Sequence, residues 1–212
     1  MPVFRSGKGN APAWCEIEDF ELIELKPGET KELPRAGKKE EIIVCEGLVS
    51  AVSGEIACTL PQGGKMDLDS PSAAGYTLTP HWGKALVFRA VGRWESINGS
   101  GLFAAQTGTP PDFDTPHDYE KTTGFDNHYH DCDEYWIFFE GSCRVASEGK
   151  TYDVGPGDCV VTGMGWHHDV LSVKGDGPAK AVFFEGTPEG EKRGGHLWEP
   201  KHGKAKPKKD RV

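Results

Sequence analysis

Three metal-ligating side chains fall within one short stretch: His128 and His130 flank Tyr129, and Glu134 follows four residues after the second histidine. A further pair, His167-His168, stands downstream at the end of a glycine-rich stretch. On a strand, residues i and i+2 share a face, so the first two imidazoles converge. Glu134 rejoins them after the turn Asp131-Cys132-Asp133. Two imidazoles, a carboxylate and a third imidazole from another segment suit one divalent transition ion, leaving positions open for water or substrate. Such ligands must be deprotonated and held in place, which strands do better than loops. Neighbouring strand residues face opposite ways, so only one of His167 and His168 can join the group.

The elements that must position these residues read as short strands. Apolar, β-branched segments occur at 42–52, 84–94, 135–139, 143–146, 159–162, 169–173 and 179–185, each bounded by Gly, Asp or Pro. With 28 Gly and 15 Pro among 212 residues, turns are frequent, and the pattern predicts an all-β sandwich or barrel. Residues 107–116 carry three prolines and read as a connection. A short helix is allowed near the N-terminus or at 118–121. Residues 40–47 (EEIIVCEG) can be laid over 134–141 (EYWIFFEG), identical at four of eight positions. That repeat predicts two β-modules, 1–105 and 106–200, followed by a basic, flexible tail at 201–212. In the second copy Trp136 and Phe138 share one face, while Tyr135, Ile137 and Phe139 share the other. Both faces are apolar, so both must be covered.

These residues resemble the cupin superfamily. His128, His130, Glu134 and Gly141 match the spacing of its first motif, although Gly124 lies two residues too close to His128 to be the opening glycine. Gly157, Gly165 and His168 match the second motif, with Gly163 at the proline position and Ser172 at the asparagine position. The resemblance implies a double-stranded β-helix, the jelly-roll cupin barrel, in two tandem copies, with the ion in the mouth of the second. It selects His168 over His167 as the fourth ligand. It also implies iron(II) as the ion in the cell, with zinc, nickel or manganese as alternatives, and a homodimer. In the N-terminal copy Pro34 and Ala36 occupy the two histidine positions, and His81 is the candidate for the fourth, so that copy reads as a degenerate scaffold.

Cupins include dioxygenases, isomerases, decarboxylases, lyases and binding proteins, so the fold does not fix the reaction. A dioxygenase acting on a small oxygen-rich molecule is the first expectation. A sugar or keto-acid isomerase or lyase, or a non-catalytic ligand-binding cupin, is the alternative. Tyr129 and His167 are the nearest titratable candidates for acid or base; Trp136 and Trp166 are candidates for a substrate pocket wall, and Asp126 flanks the ligands. A net charge of −9 speaks against nucleic acid as partner, and no stretch approaches the length of a membrane span. The N-terminal residues lack the apolar core of a signal peptide, so a cytoplasmic location is expected. None of the six cysteines forms a CxxC pair, so free, mostly buried thiols are expected, Cys132 included.

Overall fold

The computed structural model describes residues 3–69, 75–187 and 195–212. Those residues form sixteen strands, all paired antiparallel where they join a sheet, and a single four-residue helix, α1, at Glu199–His202. No helix appears at 118–121. None of the described helices is long and apolar enough to cross a membrane. The chain divides into two compact units.

The first unit comprises Ser6–Ala11 and Glu16–Trp94. One of its sheets runs β2 (Ile17–Leu25), β9 (Ala85–Gly92), β4 (Lys39–Glu46), β7 (Lys65–Leu68). The other runs β3 (Lys31–Pro34), β8 (Gly75–Pro80), β5 (Leu48–Ser53), β6 (Ile56–Pro61). Ile42, Val44 and Val87 of the first sheet pack with Val49, Ala51 and Leu78 of the second in one buried core. The alternation of buried and half-buried residues along β8 is the sequence signature of a strand with one face turned to the core.

The second unit takes the strand β1 (Val3–Arg5), Pro12–Cys15 and the chain from Glu95 onward. Its larger sheet runs β1, β14 (Asp158–Thr162), β11 (Asp133–Glu140), β16 (Ala179–Thr187), β10 (Ser96–Ala105). The smaller runs β13 (Lys150–Val154), β12 (Ser142–Ser147), β15 (His168–Lys174). Trp136 and Phe138 on β11 meet Val145 and Val170 in its core. Tyr135, Ile137 and Phe139, on the other face of β11, are buried as well.

The repeated octapeptide occupies equivalent places. β4 slips register against β9 between Val44 and Glu46, and β11 slips against β16 between Phe138 and Glu140. Each strand ends at a glycine in the left-handed region, Gly47 at φ +89° and Gly141 at φ +68°. A Cβ at Gly141 would also collide with the carbonyl of Pro178. The turn at Gly47 corrects the single strand expected over 42–52: the chain leaves one sheet there as β4 and enters the other as β5.

Two organisational expectations also change. The boundary expected at 105 falls instead at Trp94/Glu95, because β10 pairs along its whole length with β16. The tail, expected to be flexible, is docked on the second unit. Just ahead of it Leu197 bridges to Tyr129; within it the Gly203 carbonyl accepts from the Tyr129 hydroxyl, and the Lys208 amide donates to the Met164 carbonyl. Trp166 Nε1 donates to the Lys208 carbonyl, and Arg211 pairs with the fully buried Asp133. The tail also accounts for Gly163 at the cupin proline position, since a Cβ there would collide with the Arg211 carbonyl. The six cysteines are free thiols, and all but Cys58 are buried.

Candidate metal centre

The strand beginning at Asp133 fixes Glu134 against Thr162 on one side and Glu185 on the other. His128 is held by a reciprocal backbone pair with His168, the first residue of β15: His128 N to His168 O at 3.2 Å and the reverse at 3.0 Å. Between His128 and His130, Tyr129 pairs with Leu197 on the opposite edge. The ligand segment is thus clasped between β15 and a C-terminal strap, residues 195–212. The His130 carbonyl accepts from the Gly165 amide, which ties the second imidazole's backbone to the loop ahead of β15.

All four side chains named from the sequence come together. One ligand-type atom from each of His128, His130, Glu134 and His168 lies within 4.8 Å of the others, and every one of these residues is buried. Glu134 Oε2 lies 2.5 Å from His168 Nε2, 3.2 Å from His130 Nε2 and 3.9 Å from His128 Nε2. Despite these distances, none of the four atoms has a hydrogen bond of acceptable geometry. They aim at a common centre, not at one another. His128 Nδ1 donates to the Asp126 carbonyl at 2.8 Å, and His168 Nδ1 to the Trp166 carbonyl at 3.3 Å. Those bonds assign the proton to Nδ1 and leave an Nε2 lone pair pointing inward on each ring. Buried lone pairs facing a carboxylate are costly unless a cation joins them, so the residues present fit a divalent ion.

The electrostatics follow the same geometry. Burial drives His128 well below the usual imidazole range, and repulsion from His168 and His130 adds to it. Burial also lowers His168, against the pull of Glu134. For His130, burial is outweighed by Glu134, and its value rises. Burial would raise Glu134, but His130 and His168 outweigh it and hold the carboxylate ionised, well below its usual range.

Other candidates fall elsewhere. Trp136 lies edge-on to His168 at 5.0 Å, forming the floor of the cluster as well as core. Tyr129 and His167 point away from it, as strand alternation requires. The Tyr129 ring packs on Leu197 and Ala205, and its hydroxyl is engaged by the strap. His167 faces Glu199 at 3.6 Å and, with Trp166, His117 and Tyr119, lines a separate cavity of about 330 Å³. Cys132 is buried beside Glu185 and His130, outside the four-residue set. Asp114 and Asp169 resemble a further acidic site, but the Lys121 ammonium bridges them at 2.9 and 2.8 Å.

Two residues at the centre were not expected. Glu185, directly opposite Glu134 on β16, places Oε1 3.9 Å from His130 Nδ1. His196, on the strap, stacks on His128 with centroids 3.6 Å apart and planes within 2°. Its Nδ1 lies 2.8 Å from Asp126 Oδ2, an oxygen that also accepts from Trp198 Nε1 at 2.6 Å. Burial would raise Asp126, but His196 outweighs it and the carboxyl stays low.

Among its described residues the first unit lacks this constellation. Pro34 pairs with Gly75 where His128 pairs with His168, so Gly75 holds the fourth-ligand position and His81, bonded to Ser50, does not. Only Glu40 remains. It accepts from the Ala36 and Gly37 amides and pairs with Arg35 at 3.1 Å and Arg89 at 2.8 Å.

A cupin-domain family model matches residues 116–185. The chain is also 41% identical over 214 residues, all of this chain and 97% of the other, to the uncharacterised protein y4oW of Sinorhizobium fredii. The chain belongs to the cupin superfamily. Among solved structures it resembles YhaK of Escherichia coli, with a TM-score of 0.57 at 11% identity over 87% of this chain and 92% of that one. A putative glyoxylate-induced protein of Pseudomonas aeruginosa gives 0.53 at 10% over 91% and 83%, and an oxalate decarboxylase 0.51 at 13% over 80% and 69%. At such identities the likeness is one of fold.

Proposed function

We propose that this protein is a metal-dependent enzyme acting on a small oxygen-rich molecule. One divalent transition ion, iron(II) in the cell, is held by His128, His130, Glu134 and His168. The observation that carries this reading is the convergence of three Nε2 atoms and one carboxylate oxygen, all buried and none properly hydrogen-bonded. When bound, such an ion supplies Lewis acidity and, as iron, redox access to dioxygen, and four protein ligands leave positions free for substrate. The chain's own residues orient the ligands through backbone carbonyls, exclude water with Trp136 beneath them, and place Glu185 and the Asp126–His196 pair around them. A dioxygenase is the reaction class we carry forward. An isomerase or lyase is the second reading, favoured by a hydrogen-bonded carboxylate–imidazole pair beside the ligands.

The two units share strand order, register slip and terminal glycine, which supports reading them as two copies of one module, the first having lost its ion site. A homodimer belongs to the same proposal, and light scattering tests it. The decisive experiment on function is anaerobic purification with metal analysis, followed by iron(II) loading and oxygen-uptake measurements with small hydroxy acids, keto acids, thiols and catechols. Uptake that needs both iron and His128 supports the dioxygenase. Proton exchange or isomerisation without uptake supports the second reading, and ligand binding without turnover of any substrate class refutes an enzyme.

A further inference from the structure

His196 has no part in the ligand set, yet the strap carries it onto that set. Its ring covers the face of His128 at 3.6 Å and stands perpendicular to His130, centroids 5.4 Å apart. Unlike the four buried ligands, its side chain is 37% exposed, which puts it at the opening. Asp126 fixes it: one carboxylate oxygen takes His196 Nδ1 at 2.8 Å and Trp198 Nε1 at 2.6 Å, and lies 3.4 Å from His128 Nδ1. Trp198 is itself set by an edge-on contact with Phe113 at 4.7 Å. An imidazole that gives Nδ1–H to a carboxylate keeps a lone pair on Nε2, the arrangement in which a histidine accepts a hydrogen from a substrate.

Resting on the metal-centre reading above, we propose that His196, oriented by Asp126, accepts a hydrogen bond through Nε2 from the hydroxyl of a small hydroxy acid lodged against the His128–His130–Glu134–His168 set. It thereby selects hydroxy acids over acids of similar size without a hydroxyl. The carboxylate of such a substrate suits the cation. The hydroxyl suits His196, whose Nδ1 is taken by Asp126 and whose Nε2 has no hydrogen-bond partner among the described residues.

The test uses the full-length protein loaded with cobalt(II), whose visible spectrum reports ligand binding without any turnover. Glycolate is titrated against methoxyacetate, the same carboxylate with its hydroxyl blocked, in the unmodified protein, His196→Ala and His196→Phe. The phenyl ring keeps an aromatic stack on His128 while removing both nitrogens. We expect unmodified protein to prefer glycolate, and both variants to lose about 3- to 10-fold in glycolate affinity, the worth of one net hydrogen bond. Methoxyacetate affinity should stay within about twofold, below the loss expected for that bond, and cobalt content should not change. Glycolate affinity unchanged in both variants overturns the proposal. So does an equal loss for both acids, or a loss in His196→Ala that His196→Phe restores, and so does a loaded protein that binds neither acid. Failure to load cobalt is a separate result, since it removes the metal centre itself.

Discussion

His167 and His168 are adjacent, yet only one has its imidazole in the cluster, so replacing each by alanine should separate them sharply. His168 supplies one of three nitrogens, is fully buried, and its Nε2 lies 2.5 Å from Glu134 Oε2. Behind it stands the indole of Trp136, so the space left by His168→Ala is poorly suited to a replacement water. An ion that binds only the folded protein stabilises it by RT ln(1 + [M]/Kd), about 2.7 kcal/mol at a hundredfold excess over Kd. For a chain of this size that corresponds to a rise of about 5–11 °C in Tm. Losing an outer-shell partner of a metal ligand costs about 10- to 100-fold in affinity, and losing a ligand costs at least as much. At 100-fold the same metal concentration only matches Kd, stabilisation falls to about 0.4 kcal/mol, and the rise shrinks to about 1–2 °C. His167→Ala should keep nearly the full rise, because its side chain lines the other cavity. Thermal scans of each variant, chelated and then reloaded with zinc or cobalt, make the comparison within one protein. Equal metal-induced shifts in the two variants, or a larger loss in His167→Ala, would refute the placement of the fourth ligand.

Other outcomes test the frame around the site. Glu40→Gln removes a buried partner of Arg35 and Arg89 and should cost roughly 3 kcal/mol in urea unfolding at neutral pH. Burial raises Glu40, but the Ala36 amide and Arg89 outweigh it, so the folded value lies below the ordinary 4.5. Its contribution is therefore present above that pH and lost as pH falls through the folded value, and the variant should show a flatter acid limb. Gly141→Ala meets both a left-handed backbone and the Pro178 carbonyl, and should cost about 2 kcal/mol or more by the same unfolding assay. Arg211→Met should cost about 3 kcal/mol by removing the counter-charge of the buried Asp133, which keeps the Met164 amide, and should speed tryptic cleavage at Lys204 and Lys208. An undocked tail already cleaved at the unmodified rate would contradict the strap.

The ligand residues were legible because their geometry is local: a two-residue period puts His128 and His130 on one face, and the second motif's spacing picks His168. The octapeptide repeat was legible for a similar reason, being carried by a strand and its closing glycine. His196 was not, since it stands alone in its segment and reaches the site through long-range contacts, the pairing of Leu197 with Tyr129 and the bonds of His196 and Trp198 to Asp126. β10 was missed because its glycines and serines argue against a strand. Gly99 and Gly101 are there for room: a Cβ would press on the Glu185 carboxylate at 3.2 Å or the Phe183 ring at 3.0 Å. Neighbours on β16, not local propensity, decide that strand. The tail misled by composition. Its lysines read as solvated, while the docking is made by backbone groups, one small apolar residue and Arg211.

The guanidinium of Arg89 against Glu40 has its own consequence. A counter-charge bonded into the polypeptide arrives with synthesis, cannot be stripped by a chelator, and does not vary with what the cell can import. Starvation for iron or zinc therefore leaves the first unit's charge balance untouched, and the indole of Trp136, edge-on to His168, is the place to read its effect on the second.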